Sequence, residues 1–294
     1  MLTNAHLHFK ETFSTADFCG QAVCFCAGSA EEWETATAFV RSLKNVPDEG
    51  ASCNTCALVS AGIHPWSLVS GSAGAIGNAA SGVADASDVE EIAGGASIDA
   101  RPLWLEKLLA NNADDVAAVG ECGIDLYTPE LKTALPAQIV AFEKQMELAA
   151  RYEKPLVVHC RRSIQYFFEY APCLKKLPSV IFHAFPGTFS ECESLLKRGI
   201  NAYFSFGGSF SQKGETRQNS ELPEPSAVLI RGGKHAAECV VRLPDDRLLL
   251  ETDAVDNAPS LLREVFGATA ALRGVPVSEL ESVCSENFSR AYCV

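Results

Sequence analysis

Eight short apolar runs recur along the chain, and stretches of helical periodicity separate them. The runs are 2–8 (LTNAHLH), 22–27 (AVCFCA), 57–63 (ALVSAGI), 116–121 (VAAVGE), 155–160 (PLVVHC), 179–184 (SVIFHA), 201–206 (NAYFSF) and 247–252 (RLLLET). Each has the length of a strand. Their near-continuous apolar character marks strands covered on both faces, as in a parallel sheet. Trp33, Thr37, Val40 and Leu43 keep near-helical spacing within 30–45, and Ile139, Phe142, Met146 and Ala149 mark one face of 137–151. Residues 259–294 predict two or three further helices, one opened by a capping box from Ser278 to Glu281. Repeated βα units with eight strands predict an α/β fold. The architecture expected is a closed (β/α)8 TIM-type barrel, a single domain over 1–294.

Two stretches interrupt the pattern. Residues 70–100 are rich in Ser, Gly and Ala and read as a low-complexity surface insertion. Residues 211–235 are polar, then Pro-containing, then basic, and read as a long loop on one rim.

The cysteines point to a reducing compartment. The chain has 12, irregularly spaced in a sequence long enough to build a core without them. Cys24 and Cys26 alternate in an apolar run. Cys53 and Cys56 form a CxxC, with no second pair or nearby histidine at zinc-finger spacing, so reduced structural thiols are expected. No charged segment followed by an apolar run opens the chain, and no apolar run nears the ~20 residues of a membrane span. A cytoplasmic protein is the expectation. The net charge of −13 argues against a protein that coats nucleic acid, whose affinity comes from Lys and Arg meeting phosphates. It leaves room for an enzyme that holds one or two phosphates through metal ions.

The histidines carry the functional signal. There are six: His6, His8, His64, His159, His183 and His235. The first five fall at or just after the C-terminal end of a predicted strand. In a barrel those ends converge on the rim where active sites sit. Glu121 closes VAAVGE, and Asp253 follows RLLLET. A carboxylate at the end of a buried strand is costly unless paired or metal-bound. His6 and His8 are two apart on a strand and face the same way, so they can serve one ion. His159 and His183 can hold a second, Glu121 can bridge the two, and Asp253 can complete the first shell once the barrel closes. Four histidines and two carboxylates suit Zn²⁺ or Mn²⁺ better than an all-oxygen Mg²⁺ cage, though the metal's identity stays open. Singly, each residue has a plainer use: a rim histidine in a hydrogen bond, or an ETD that caps the next helix. The joint placement is what points to a metal site.

Taken in order, AHLH (5–8), AGIHPW (61–66), VGECGIDLY (119–127), Gln138/Phe142/Gln145 with KPLVVHCR (154–161), FHAFPGT (182–188), YFSFGG (203–208), LLLETDA (248–254) and NFSRAY (287–292) resemble the TatD family of metal-dependent hydrolases, the TatD-type deoxyribonucleases. The resemblance implies a TIM-type barrel holding two divalent metal ions (Zn²⁺, Mn²⁺ or Mg²⁺). It implies hydrolysis of DNA phosphodiesters, at the 3′ end of single strands. His6 and His8 would bind the first ion, His159 and His183 the second. Glu121 would bridge and act in catalysis, and Asp253 would bind metal and handle protons. His64 and Arg161 would contact phosphate. The implied partner is a DNA end or another phosphoester, with no membrane and no obligate protein partner. The chain departs from the family pattern at Asn4, usually an acid, at Cys122, usually aliphatic, and at Arg162, often an acid. PGT also replaces a serine-containing turn after His183, and the proline after ETD is delayed to Pro259.

Asp253 in this scheme works as a proton acceptor, so activity should fall on the acid side. The alternative is an amidohydrolase-like barrel enzyme hydrolysing a small amide, ester or phosphoester. Against it, a carbamylated lysine bridge would need a Lys where Glu121 stands, and Arg161 favours an anionic phosphate. A non-catalytic descendant should have lost a ligand, and none is missing.

Overall fold

Along the strands, alternate side chains meet two different sets of partners, and this alternation builds the molecule. Ala22 and Cys24, Ala118, Val157, Ile181, Tyr203 and Leu249 form one buried cluster inside the ring of strands. Their neighbours Val23 and Phe25, Leu156 and Val158, Val180 and Phe182, Leu248 and Leu250 join the larger cluster that includes the surrounding helices. Strands apolar on both faces are therefore what the barrel requires.

The computed structural model describes residues 1–44, 55–69, 102–207, 233–253 and 258–294. In chain order its elements are β1 (Leu2–His8), β2 (Gln21–Ala27), α1 (Ala30–Lys44), β3 (Cys56–Ala61), α2 (Pro102–Asn112) and β4 (Ala118–Asp125). There follow α3 (Pro129–Thr133), α4 (Leu135–Arg151), β5 (Leu156–Arg161), α5 (Ile164–Glu169), α6 (Ala171–Leu174) and β6 (Val180–His183). The last are α7 (Phe189–Lys197), β7 (Ala202–Gly207), α8 (Gly233–Arg242), β8 (Leu248–Glu251), α9 (Ala258–Arg273) and α10 (Val277–Tyr292). The strands pair in parallel in the order β1 to β8. The architecture is a (β/α)8 barrel. No helix among the described residues is long and apolar enough to cross a membrane.

The seam between β8 and β1 is held by specific groups. Asn4 donates through Nδ2 to Thr252 Oγ1 at 2.7 Å and accepts from the Thr252 amide at 3.0 Å. The Asp253 amide donates to the His6 carbonyl. Phe288 and Tyr292 of α10 pack on the interior cluster, and the Tyr292 hydroxyl donates to the Ala5 carbonyl at 2.6 Å.

Trp33, Thr37, Val40 and Leu43 are buried on α1 as their spacing requires. Several boundaries differ from expectation. β4 runs four residues past Glu121 to Asp125. Its glycines conceal the strand, because they replace the apolar residues a strand pattern would show. A Cβ at Gly123 would stand 2.0 Å from the His159 carbonyl, so β4 and β5 can run this close only with glycine there. β3 stops at Ala61, before Gly62 and Ile63. The capping box at Ser278 is absent: α10 begins at Val277 with Pro276 in extended backbone at its N-cap, two residues earlier than the box would start it. A capping box does open α7, where Thr188 and Glu191 bond each other's backbone amides.

The stretch 70–100 lies outside the described residues, as does 211–235 apart from 233–235, which open α8. Cys53 of the CxxC also lies outside them. Among the described residues ten cysteines are free. Cys19 is disulfide-bonded, which departs from the expectation that the thiols are all reduced.

Asn4→Ala removes both seam bonds and leaves the buried Thr252 amide without an acceptor. We expect a loss of about 2–3 kcal/mol in urea unfolding. An unchanged midpoint would show that the seam is held elsewhere.

Candidate metal centre

β4 threads between β3 and β5 with glycines on either side of Glu121, and this sets the Glu121 carboxylate at the centre of the mouth. A Cβ at Gly120 would stand 2.4 Å from the Val157 carbonyl. The Glu121 amide donates to Cys26 Sγ at 3.1 Å, a thiol that burial pushes well above its usual pKa. The carboxylate is almost wholly buried, and five imidazoles converge on it. Its Oε1 lies 2.6 Å from His183 Nε2, 2.7 Å from His159 Nδ1 and 3.1 Å from His64 Nε2. Its Oε2 lies 3.3 Å from His6 Nε2 and 3.4 Å from His8 Nε2. Asp253 Oδ1 lies 3.8 Å from His6 Nε2 and 3.9 Å from His8 Nε2.

The five histidines singled out in the sequence are thus brought together with Glu121 and Asp253, while His235, not among them, is exposed on α8, outside the cluster. His6 and His8 share a face as expected. Arg161 ends β5 with its guanidinium over the Tyr127 ring, 3.6 Å from the centroid.

Charge in the cluster is strongly coupled. Burial opposes ionisation of Glu121, but the imidazoles of His183 and His64 and hydrogen bonds from His159 and His183 hold its carboxyl well below the usual range. Burial likewise opposes protonation of His8, His159 and His183, yet the facing carboxylates raise all three. For Asp253, burial is outweighed by His183, His6 and His8, and its pKa falls to about 2. Burial lowers the pKa of His64.

The partner of each ring's second nitrogen separates ligands from donors. His159 stands between two carboxylates, Nε2 3.0 Å from Asp125 Oδ2 and Nδ1 2.7 Å from Glu121 Oε1; carboxylates only accept, so the protonated ring donates to both, and an ion that displaces the Nδ1 proton leaves Nε2–H on Asp125. His183 Nδ1 stands 3.6 Å from Glu251 Oε1, so its Nε2 faces the cluster in the same sense. His64 is the reverse. Its Nδ1 accepts the Trp66 amide at 3.0 Å, so in the neutral ring Nε2 carries the proton and acts as a donor toward an anion.

His6 Nε2, Glu121 Oε2 and His183 Nδ1 are buried without hydrogen-bond partners. His6 Nε2 and Glu121 Oε2 face each other at 3.3 Å, and an orphaned ring nitrogen beside an orphaned carboxylate oxygen is what a divalent cation satisfies; His183 Nδ1 lies on the far side of its ring, toward Glu251. Three groups can hold an ion: His6/Glu121/His183, His6/His8/Asp253 and His64/Glu121/His159. The donor set of imidazoles and carboxylates fits Zn²⁺-like or Mn²⁺-like ions. The tautomer of His64 argues for counting it last among the ligands.

Two carboxylates were not foreseen as parts of the site. Asp125 is fully buried and bonds His159, the Trp66 indole and the Tyr127 amide. Glu251 is fully buried, faces His183, and accepts from the Ala184 amide and the Ser205 hydroxyl. Each had a signal in strand period two: Asp125 follows Glu121 by four, and Glu251 shares parity with inward Leu249. Gln138 and Gln145 of α4 brace the rim from behind. Gln138 Oε1 accepts the Asp125 amide and Gln145 Oε1 the Ile63 amide, each at 2.7 Å.

Residues 4–293 match the sequence profile of the TatD related DNase family. A protein of Erwinia billingiae named 3′-5′ ssDNA/RNA exonuclease TatD is 30 % identical over 197 residues, covering 60 % of this chain and 66 % of that protein, just under two thirds of its length. A protein of the same name from Cronobacter sakazakii is 31 % identical over 202 residues, covering 63 % of this chain and 68 % of its own. Among solved structures, a TatD homologue from Escherichia coli K12 superposes with a TM-score of 0.69 at 20 % identity, over 100 % of this chain and 98 % of that one. A TatD family hydrolase from Entamoeba histolytica gives a TM-score of 0.64 at 15 % identity, over 99 % and 97 %. These structural likenesses are ones of fold.

Glu121→Gln removes the charge that raises the histidines while keeping the volume. In the metal-free variant the pKa values of His183, His8 and His159 should all fall, as followed by NMR titration of the ring protons. Unmoved values would mean that Glu121 does not hold the cluster.

Proposed function

The chain belongs to the TatD related DNase family, and we propose that it is a metal-dependent phosphodiesterase that removes nucleotides from DNA ends, most directly the 3′ end of a single strand. The observation that carries this is the Glu121 carboxylate with five imidazoles and Asp253 around it at the mouth of a barrel. The substrate follows the names of the curated relatives, proteins called 3′-5′ ssDNA/RNA exonucleases.

Two divalent ions would share the site. His6, His8 and Asp253 would hold one, His159 and His183 the other, with Glu121 between them. When bound, such a pair polarises a phosphoryl oxygen and acidifies a water to make a nucleophile. Asp253 would orient that water and take its proton at Oδ1. Against its burial, the imidazoles of His183, His6 and His8 hold its carboxyl down to about 2, so it is unprotonated at neutral pH and open to a proton. His64 would present Nε2–H to a phosphate oxygen, the donor role its tautomer favours. Arg161 carries a guanidinium free of carboxylates among the described residues and would neutralise phosphate charge. Asp125 and Glu251 would fix the ring orientations of His159 and His183. Ten of the eleven described cysteines are free, which suits work in the cytoplasm; the disulfide at Cys19 speaks the other way.

End-labelled single-stranded DNA tests the proposal. Reconstituted wild type should shorten it stepwise, and a chelator should stop it. Asp253→Asn should lower kcat by about 10²–10⁴-fold with the fold intact, and Glu121→Ala should abolish metal-dependent cleavage. Full activity in either variant contradicts the mechanism.

The pH dependence has a defined sign. Because Asp253 is charged above about pH 2, the acid-side loss arises at the histidines rather than at Asp253. His8, His159 and His183 hold protons above the ordinary imidazole range, and ions must displace them. Apparent metal affinity should rise with pH through neutrality. Titration calorimetry in two buffers of different ionisation enthalpy should detect proton release; none would mean these rings are not displaced.

A further inference from the structure

Large aromatic side chains are buried or half-buried throughout the described residues, with two exceptions. Trp66 is 39 % exposed and Tyr127 is 45 % exposed. Both stand beside the metal centre, and one carboxylate ties them to it. The Trp66 indole donates to Asp125 Oδ2 at 2.8 Å, and the Tyr127 amide donates to Asp125 Oδ1 at 2.8 Å. His159 donates to the same Oδ2. The Trp66 ring centroid lies 6.4 Å from that of His159. Two exposed rings, which water disfavours, are thus fixed in register with a prospective ligand.

Two guanidinium groups join them. Arg161 lies 3.6 Å and Arg162 4.7 Å from the Tyr127 ring centroid. Consecutive side chains on a strand point to opposite faces. Arg162 stands just past the end of β5, and a left-handed backbone there, φ 59°, a conformation that costs any residue with a Cβ, accompanies its place over the same ring as Arg161. Neither arginine meets a carboxylate among the described residues, whereas Arg151, Arg242, Arg273 and Arg290 each do. In a chain of net charge −13 this is a local reversal of sign at the mouth.

We propose that Tyr127, Trp66 and Arg162 form a stacking subsite for the unpaired bases at the end of a nucleic-acid strand. Tyr127 and Trp66 take the base faces; Arg162, the farther of the two guanidinium groups over Tyr127, leaves the ring to a base and takes a phosphate of the same strand beyond the one at the metal centre. An aromatic face accepts any base, because every base has a π-face, and a guanidinium stacked on a ring keeps its N–H edge for phosphate. The subsite selects strands whose terminal bases are unpaired and lets sequence vary. It presupposes the phosphodiester hydrolysis proposed above.

The test uses the full chain reconstituted with Mn²⁺ and two single strands, one ending in thymidines and one ending in two abasic tetrahydrofuran residues. Wild type should favour the base-bearing strand by roughly tenfold or more in kcat/KM. Tyr127→Leu should lose most of that preference, and Tyr127→Phe, which keeps the ring, should retain it. Arg162→Gln should flatten the slope of log kcat/KM against log salt by about 0.7, the share of one single-strand phosphate. Equal rates of wild type on both strands, or an undiminished preference in Tyr127→Leu, would overturn the subsite alone. An unchanged salt slope in Arg162→Gln would remove the phosphate contact. Wild type that cleaves neither strand would overturn the hydrolysis itself, and the subsite with it.

Discussion

A carboxylate without water must be met by positive charge or donors, and everything at the mouth of this barrel answers that demand of Glu121. Its two oxygens face five imidazole nitrogens within 3.4 Å. Stripped of solvent, the charge of one glutamate raises the proton affinity of His8, His159 and His183, and the imidazoles in turn depress its own. Such an arrangement is poorly suited to protons, because several of these nitrogens cannot be protonated at such close range without repelling one another. His159 Nδ1 and His183 Nε2 are 3.2 Å apart. It suits cations that take the lone pairs and leave the rings neutral.

Holding six such groups in place is a task for the scaffold. Glycines at 120 and 123 let β4 sink between its neighbours. The glutamines of α4 pin the rim from outside, through the amides of Ile63 and Asp125. The Asn4–Thr252 pair closes the seam and brings Asp253 to His6. Asp125 has the widest reach of the supporting groups. It orients the His159 ring on one side and holds the aromatic rim on the other, so the metal centre and the exposed rings share one support.

Much of this was legible in the sequence, because the strands are buried on both faces and so stand out as apolar runs. His6, His8, His64, Glu121, His159, His183 and Asp253 were found because they sit where such runs end. Other features were hidden for physical reasons. The end of β4 was masked by glycines, which have no side chain to show a strand pattern. The helix starts at Val277, after Pro276 in extended backbone, although Ser278 and Glu281 spell a capping box two residues on. Asp125 and Glu251 matter through contacts with residues on other strands, and spacing along one strand only hints at them. The donor character of His64 depends on a single backbone amide, that of Trp66, which no motif encodes.

Anomalous diffraction from crystals of the Mn²⁺-reconstituted protein tests the central claim most directly. The account predicts two ion peaks, one beside His6, His8 and Asp253 and one beside His159 and His183, with the Glu121 carboxylate between them and the His159 Nε2–Asp125 bond kept. Crystals that show no ion within reach of Glu121, with its carboxylate still hydrogen-bonded to the imidazoles, would contradict it.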